Sequence, residues 1–253
     1  ARHAKRKNRD VFTAIKPHVD IRKRRLTDPD VWRGEIELPT EAAADAWFRE
    51  YEDFILHYAL LCRELDDDVD MLVIGTELAG VVGEAYRQQW QKIIDKVHKA
   101  APGVLLCYAA NWDNLEGPTA PRFIKCLDVL GIDWYAPITD KRDPSLAELR
   151  AGWAPWIAYL KDLRARVEVP LVLTEVGFRS CDFAAGPEPW EYRKEYPRNA
   201  ALQARCYRAL LEALKQTPVR GAFVWDVRPF SDRDSVHHIG FSPLRKPAAK
   251  ERP

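Results

Sequence analysis

The sequence predicts an α/β fold in which parallel strands alternate with helices, and three observations carry that prediction. Short apolar runs alternate with long amphipathic stretches along the chain. The runs are continuously apolar, as expected of strands buried on both faces. Polar and aromatic residues collect at the C-terminal end of each run, which is where (β/α) barrels place their active sites.

The elements follow in order. "VFTAIKPHVDI" (11–21) is the first strand candidate, ending in His18 and Asp20. A loop containing "DPDVWRGEIELPT" follows, then a helix over 41–65 with Trp47, Tyr51, Phe54, Ile55, Tyr58 and Leu61 at helical spacing. "VDMLVIGTEL" (69–78) is the second strand and ends in Glu77. The next helix carries Tyr86, Trp90, Ile93, Ile94 and Val97 on one face. "GVLLCYAANWD" (103–113) is the third strand, with Asn111 and Trp112 at its tip. "LDVLGIDWYAPI" (127–138) is the fourth, with Asp133 and Tyr135, and a helix over 145–166 follows it. "VPLVLTEVGF" (169–178) is the fifth, with Glu175. After a long loop and a helix over 199–216, "GAFVWDV" (221–227) is the sixth, with Trp225. Such alternation implies parallel pairing, because each parallel connection needs a crossover.

Composition narrows the function. The chain has 253 residues and is 47% hydrophobic, enough for one sizeable core. Lys and Arg number 39 against 38 Asp and Glu, a balance that gives no general attraction to nucleic acid or membrane surfaces. The one dense basic run, Arg22 to Arg25, reads as a solvated loop. The five cysteines are widely spaced with no CxxC pair, which argues against a zinc site, and their odd number argues against a complete disulfide framework. No stretch reaches transmembrane length, and the basic, polar opening "ARHAKRKNRD" does not read as a signal peptide.

Glu77 and Glu175 are the chemically suggestive pair. Each ends a buried strand just before a turn, so each points toward the mouth of a barrel. Paired carboxylates suit glycoside cleavage, in which one acid protonates the leaving oxygen and the other attacks the anomeric carbon. Either glutamate alone could be a strand-end residue facing water or an arginine. A fixed strand suits a nucleophile, whose attack depends on sub-ångström positioning.

Together, "KPHVDI", "WRGEIELP", "IGTEL", "YAANWD", "LGIDWYAP", "LTEVGFRS" and "FVWDV" resemble glycoside hydrolase family 113, over about residues 10–249. The resemblance implies a retaining β-mannanase on a (β/α)8 TIM barrel, with Glu77 as acid/base and Glu175 as nucleophile. His18, Asp20 and Arg33 match family motifs, and with Trp32, Asn111, Trp112, Tyr135, Arg179 and Trp225 they are the candidate substrate-binding residues. Tyr135 would supply a hydroxyl and Arg179 a charge to Glu175. Asn111 would bind a sugar hydroxyl, and Trp225, Trp112 and Trp32 would stack on sugar rings. His237 and His238 have no assigned role beyond a loop contact.

The first visible strand matches the family's third. Strands three to eight are therefore expected, with the first two βα units lacking. Residues 1–253 are expected to form a single barrel domain that is incomplete on its N-terminal side. "SPLRKPAAKERP" reads as a final helix that stops early. No cofactor or metal is expected. The expected partner is a carbohydrate substrate, with no nucleic acid and no membrane, and the chain is expected to be a monomer. A polymeric substrate would favour secretion. Three alternatives stay open: a related β-glycanase or transglycosylase acting on another sugar, a non-catalytic carbohydrate-binding barrel fragment, and a metal-dependent hydrolase using His18 and Asp20.

Overall fold

The computed structural model describes residues 1–21, 31–190, 195–227, 239–244 and 246–251. The basic run Arg22–Arg25 and the pair His237 and His238 lie outside the described residues. Six strands, β1 (Ala14–Ile15), β2 (Met71–Thr76), β3 (Leu105–Asn111), β4 (Val129–Trp134), β5 (Leu171–Val176) and β6 (Val219–Val224), are hydrogen-bonded in sequence order. Five helices accompany them: α1 (Arg2–Lys7), α2 (Glu41–Leu65), α3 (Arg87–Ala100), α4 (Leu146–Val167) and α5 (Ala200–Leu214). The chain divides into two compact units, Ala1–Ile132 and Asp133–Pro253.

In the first unit β1 pairs with β2, and β2 with β3, all parallel. The apolar run at 11–21 yields only two strand residues, both half-buried. Its start is tied down by Asp70, whose carboxylate accepts from the backbone N–H of Thr13 (2.6 Å) and from Lys5 of α1 (2.8 Å). All six residues of β2 are buried, which explains its unbroken apolar sequence. Helix α2 begins where the Thr40 hydroxyl accepts from the Ala43 N–H (3.1 Å).

Its buried ridge is Ala44, Phe48, Tyr51, Ile55, Ala59 and Cys62, displaced from the aromatic ridge expected from spacing. Buried Phe48 and Tyr51 share this ridge with small residues, and Trp47 stacks on Tyr51 from beside it (4.6 Å between centroids). Helix α3 buries Trp90, Ile93, Ile94 and Val97 as its sequence predicts. Trp90 stacks on Phe123 (4.7 Å) and donates its indole N–H to Val81 O (2.7 Å), so its polar edge is satisfied within the core.

In the second unit α4 starts on a capping box, in which Ser145 and Glu148 satisfy each other's backbone N–H groups. Trp134 stacks on Trp153 of α4 (6.0 Å). Strands β5 and β6 pair in parallel from Leu171↔Val219 to Val176↔Val224. Buried Gln203 of α5 donates to Phe178 O (2.8 Å) and Phe241 O (2.9 Å), holding two loops against the helix. In β6, Arg220, Gly221, Ala222 and Val224 are exposed. β6 ends the strand order and pairs with β5 alone among the described residues. Where the start of a final helix that stops early was expected, the described residues hold a short 3₁₀ turn, Pro247–Lys250. No helix among the described residues is long and apolar enough to cross a membrane.

Candidate active site

The first unit places Glu77 directly after β2. Its N–H donates to Ala109 O (2.8 Å), extending the pairing with β3, and its φ of 53° then turns the chain out of the sheet. A left-handed glutamate costs about 1–3 kcal/mol and persists only where its surroundings impose it. Here the next N–H, that of Leu78, is held by the Tyr108 hydroxyl (2.9 Å). Gly80 then passes so close to the 34–36 segment that a Cβ would meet Ile36 O at 2.2 Å.

The Glu77 side chain is 12% exposed, and Arg33 Nη1 donates to its Oε2 (2.8 Å). Arg33 also donates through Nε to Val19 O (2.8 Å) and through Nη2 to Asp20. Burial works against the Arg33 cation, but the Asp20 hydrogen bond and the charges of Glu77 and Asp20 outweigh it and raise its pKa. Trp32 precedes Arg33, is 38% exposed, and donates its N–H to the Glu35 carboxylate (3.0 Å), which closes the turn. His18 is half-buried beside Pro17, whose carbonyl accepts from Thr76 (3.4 Å). Asn111 and Glu77 line a common narrow crevice together with Tyr108, Asn114 and Thr119. Asn111 Oδ1 accepts from the N–H of half-buried Trp112 (3.1 Å).

The second unit places Glu175 within β5, 6% exposed. Tyr135, just past β4, donates its hydroxyl to Glu175 Oε2 (2.8 Å). One residue earlier on each strand, Thr174 donates to Asp133 Oδ1 (2.7 Å) in the buried interior. Gly177 lets the chain turn beneath β6, since a Cβ there would meet Trp225 O at 2.0 Å. Trp225 is 36% exposed, and its N–H donates to Val176 O (2.9 Å). Arg179 is buried at 3% exposure.

Two aromatics were not singled out from the sequence. Phe241 lies edge-on to Tyr135 (6.1 Å), in a segment without periodicity or motif. Trp190 stands half-exposed in the loop after β5, in a Pro-rich stretch that reads only as irregular. Among the described residues no group of three or more His, Cys, Asp or Glu is placed to hold a metal ion.

The site elements thus fall into two constellations, Asp20–Arg33–Glu77 with Asn111, and Tyr135–Glu175 with Phe241. Against known proteins, no curated sequence matches the chain. Among solved structures it is similar to a GH113 β-1,4-mannanase, with a TM-score of 0.74 and 23% identity, over 96% of this chain and 72% of that one. It is similar also to the GH113 β-mannanase AaManA from Alicyclobacillus acidocaldarius, solved in complex with ManMIm. There the TM-score is 0.69 and the identity 25%, over 87% of this chain and 66% of that one. A fungal β-1,4-galactanase shares the fold at a TM-score of 0.53 and 16% identity, over 98% of this chain and 77% of that one. The chain therefore spans roughly two thirds to three quarters of the length of these enzymes. The fold class is that of the (β/α)8 barrel, and the six strands correspond to its third to eighth. The Glycoside Hydrolase Family 113 profile matches residues 2–236, and the chain belongs to that family.

Proposed function

We propose that the chain acts as a retaining β-1,4-mannanase, with Glu175 as nucleophile and Glu77 as acid/base. The observation that carries this reading is a pair of glutamates, Glu175 buried and Glu77 half-buried, each at the C-terminal end of a parallel strand, with Oε2 of each held by a donor. In the first step a Glu175 oxygen bonds to the anomeric carbon as the glycosidic C–O bond breaks. Glu77 delivers its proton to the departing oxygen. In the second step Glu77, now a carboxylate, takes a proton from water, whose oxygen attacks the anomeric carbon and releases Glu175. Tyr135 holds Oε2 of Glu175 and so orients the carboxylate assigned to attack. Trp225, Trp112 and Trp32 are assigned to sugar stacking, Asn111 and His18 to sugar hydroxyls, and Arg179 to stabilising charge near Glu175. Residues 1–253 are assigned to one barrel domain.

Retention requires carboxyl groups about 5–5.5 Å apart, whereas inversion requires about 6.5–9.5 Å. The direct test follows the anomeric signal of the first-formed product by NMR during β-1,4-mannan cleavage. The β-anomer first supports the proposal, and the α-anomer first sinks it.

A further inference from the structure

We propose that Arg33 is a positioning residue that sets which oxygen of Glu77 carries the proton and how tightly, and that Asp20 tempers it by offsetting part of its charge. The proposal goes beyond the role assigned to Glu77 above and rests on that role only for its catalytic consequence.

The geometry is specific. Arg33 uses three separate N–H directions on three partners, namely Glu77 Oε2, Asp20 Oδ1 and Val19 O. The guanidinium is largely buried, with the side chain 15% exposed, so its charge is poorly screened. Its turn is fixed from both sides. The Trp32 N–H bond to Glu35 closes the turn from within. Gly80, three residues after Glu77, lies against Ile36 O, where no other side chain fits without displacement. The strand end that carries the acid and the turn that carries its cation are thereby held as one piece.

Two chemical consequences follow. A guanidinium has no lone pair to offer, so a proton on Oε2 would face a donor and lose the hydrogen bond. Arg33 therefore disfavours a proton on Oε2 of Glu77. A permanent cation against a carboxylate also favours the charged form, typically lowering its pKa by about 1–3 units. A general acid needs the opposite, a proton retained near its working pH. Asp20, on the far side of the same guanidinium, supplies a compensating negative charge. Its side chain is 77% exposed, so solvent screens it and its effect on Glu77 is the weaker of the two.

Tyr108 and Asn111 face Glu77 from β3 and are uncharged near neutral pH. His18 follows Pro17, whose carbonyl accepts from Thr76, and is untouched by the variants below. In the proposed mechanism Glu175 is a further anion, and it too is unchanged in both.

The test measures Glu77 in the full chain labelled with ¹³C at the glutamate carboxyls, its resonance assigned by disappearance in Glu77→Gln. Arg33→Gln should raise the Glu77 titration midpoint by about 1–3 pH units. Asp20→Asn should lower it, by about half a unit given the screening. The basic limb of kcat/KM on a substrate with a poor leaving group should move in the same directions. Thermal melts of the variants report any purely structural loss. Unmoved midpoints in both variants would overturn the proposal, and so would a shift of the same sign in both. If Arg33→Gln does not fold, the exposed Asp20→Asn decides alone, with an unmoved or raised midpoint counting against it. Full activity of Glu77→Gln on mannan would remove the proposed function, while the NMR midpoints would still decide the Asp20–Arg33–Glu77 relation.

Discussion

Glu77 and Glu175 occupy equivalent places, each at the end of a buried parallel strand, but their surroundings differ in kind. Glu77 is held by a cation, Arg33, itself shared with a second carboxylate. Glu175 is held by a neutral phenol, Tyr135, supported one residue back by the Thr174–Asp133 hydrogen bond. A neutral donor steadies a carboxylate without committing it strongly to the charged form, whereas a buried cation does commit it. The simple expectation for a retaining pair is the reverse, with charge beside the nucleophile and an apolar site around the acid. The difference teaches that the cation has to be judged with its counterion. In the proposed arrangement Asp20 offsets part of the Arg33 charge, so Arg33 fixes the orientation of Glu77 while acting with less than its full charge.

The largest effect should come from the nucleophile. Glu175→Ala removes the only group assigned to form the covalent intermediate, so turnover should fall by about 10⁴-fold or more on every substrate, activated or not. Initial rates on mannan and on a dinitrophenyl glycoside check this. Substantial activity on the activated substrate would move the nucleophile elsewhere and dissolve the comparison.

Glu77→Ala should cost about 10²–10⁴-fold on mannan but spare the first step for leaving groups that need no proton. Azide should then restore turnover of such substrates, giving a glycosyl azide of retained configuration. An inverted azide would mean that the cation-held glutamate is the nucleophile and the phenol-held one the acid. The assigned roles would then be exchanged.

Tyr135→Phe should be milder. One hydrogen bond to a charged group is worth about 1.5–3 kcal/mol, so kcat should drop by about ten- to a hundredfold with little change in melting temperature. Because Tyr135 donates to Glu175, the basic limb of the pH profile, assigned to Glu77, should stay in place. A moved basic limb would show that the two constellations do not act separately.

How far the sequence foretold these features depends on whether they are local. The bounds of α2 were legible because Thr40 offers an N-cap and the apolar spacing persists for many turns. The buried strands β2 and β4 were legible as unbroken apolar runs. The run 11–21 was read too long because polar ties to Asp70, rather than a ladder, hold its beginning. At the site, the Tyr135–Glu175 contact was inferable from adjacent strand tips. The grip of Arg33 on Glu77 was not, because it joins a loop to a distant strand end and nothing in "WRGE" names its partner. Phe241 was invisible for the same reason.

The smallest expected effects come from two glycines that the sites share as a device. Gly80 follows Glu77 and passes Ile36 O. Gly177 follows Glu175 and passes Trp225 O. In both, an added Cβ would fall within 2.2 Å of a backbone oxygen, so a backbone segment must move. Gly80→Ala and Gly177→Ala should each cost about 1–3 kcal/mol of stability, the usual penalty of overpacking, readable as a lowered melting temperature. Their kinetic consequences should diverge, since different segments are displaced. Gly80→Ala pushes on the segment that carries Arg33, so it should lower kcat a few-fold and shift the basic limb of the pH profile. Gly177→Ala pushes on Trp225, a proposed sugar platform, so it should raise KM for mannan a few-fold and leave that limb unmoved. Steady-state kinetics across pH on both variants separates the two. Identical kinetic signatures would mean that the glycines only maintain the fold, and that the charged and neutral constellations are not mechanically distinct.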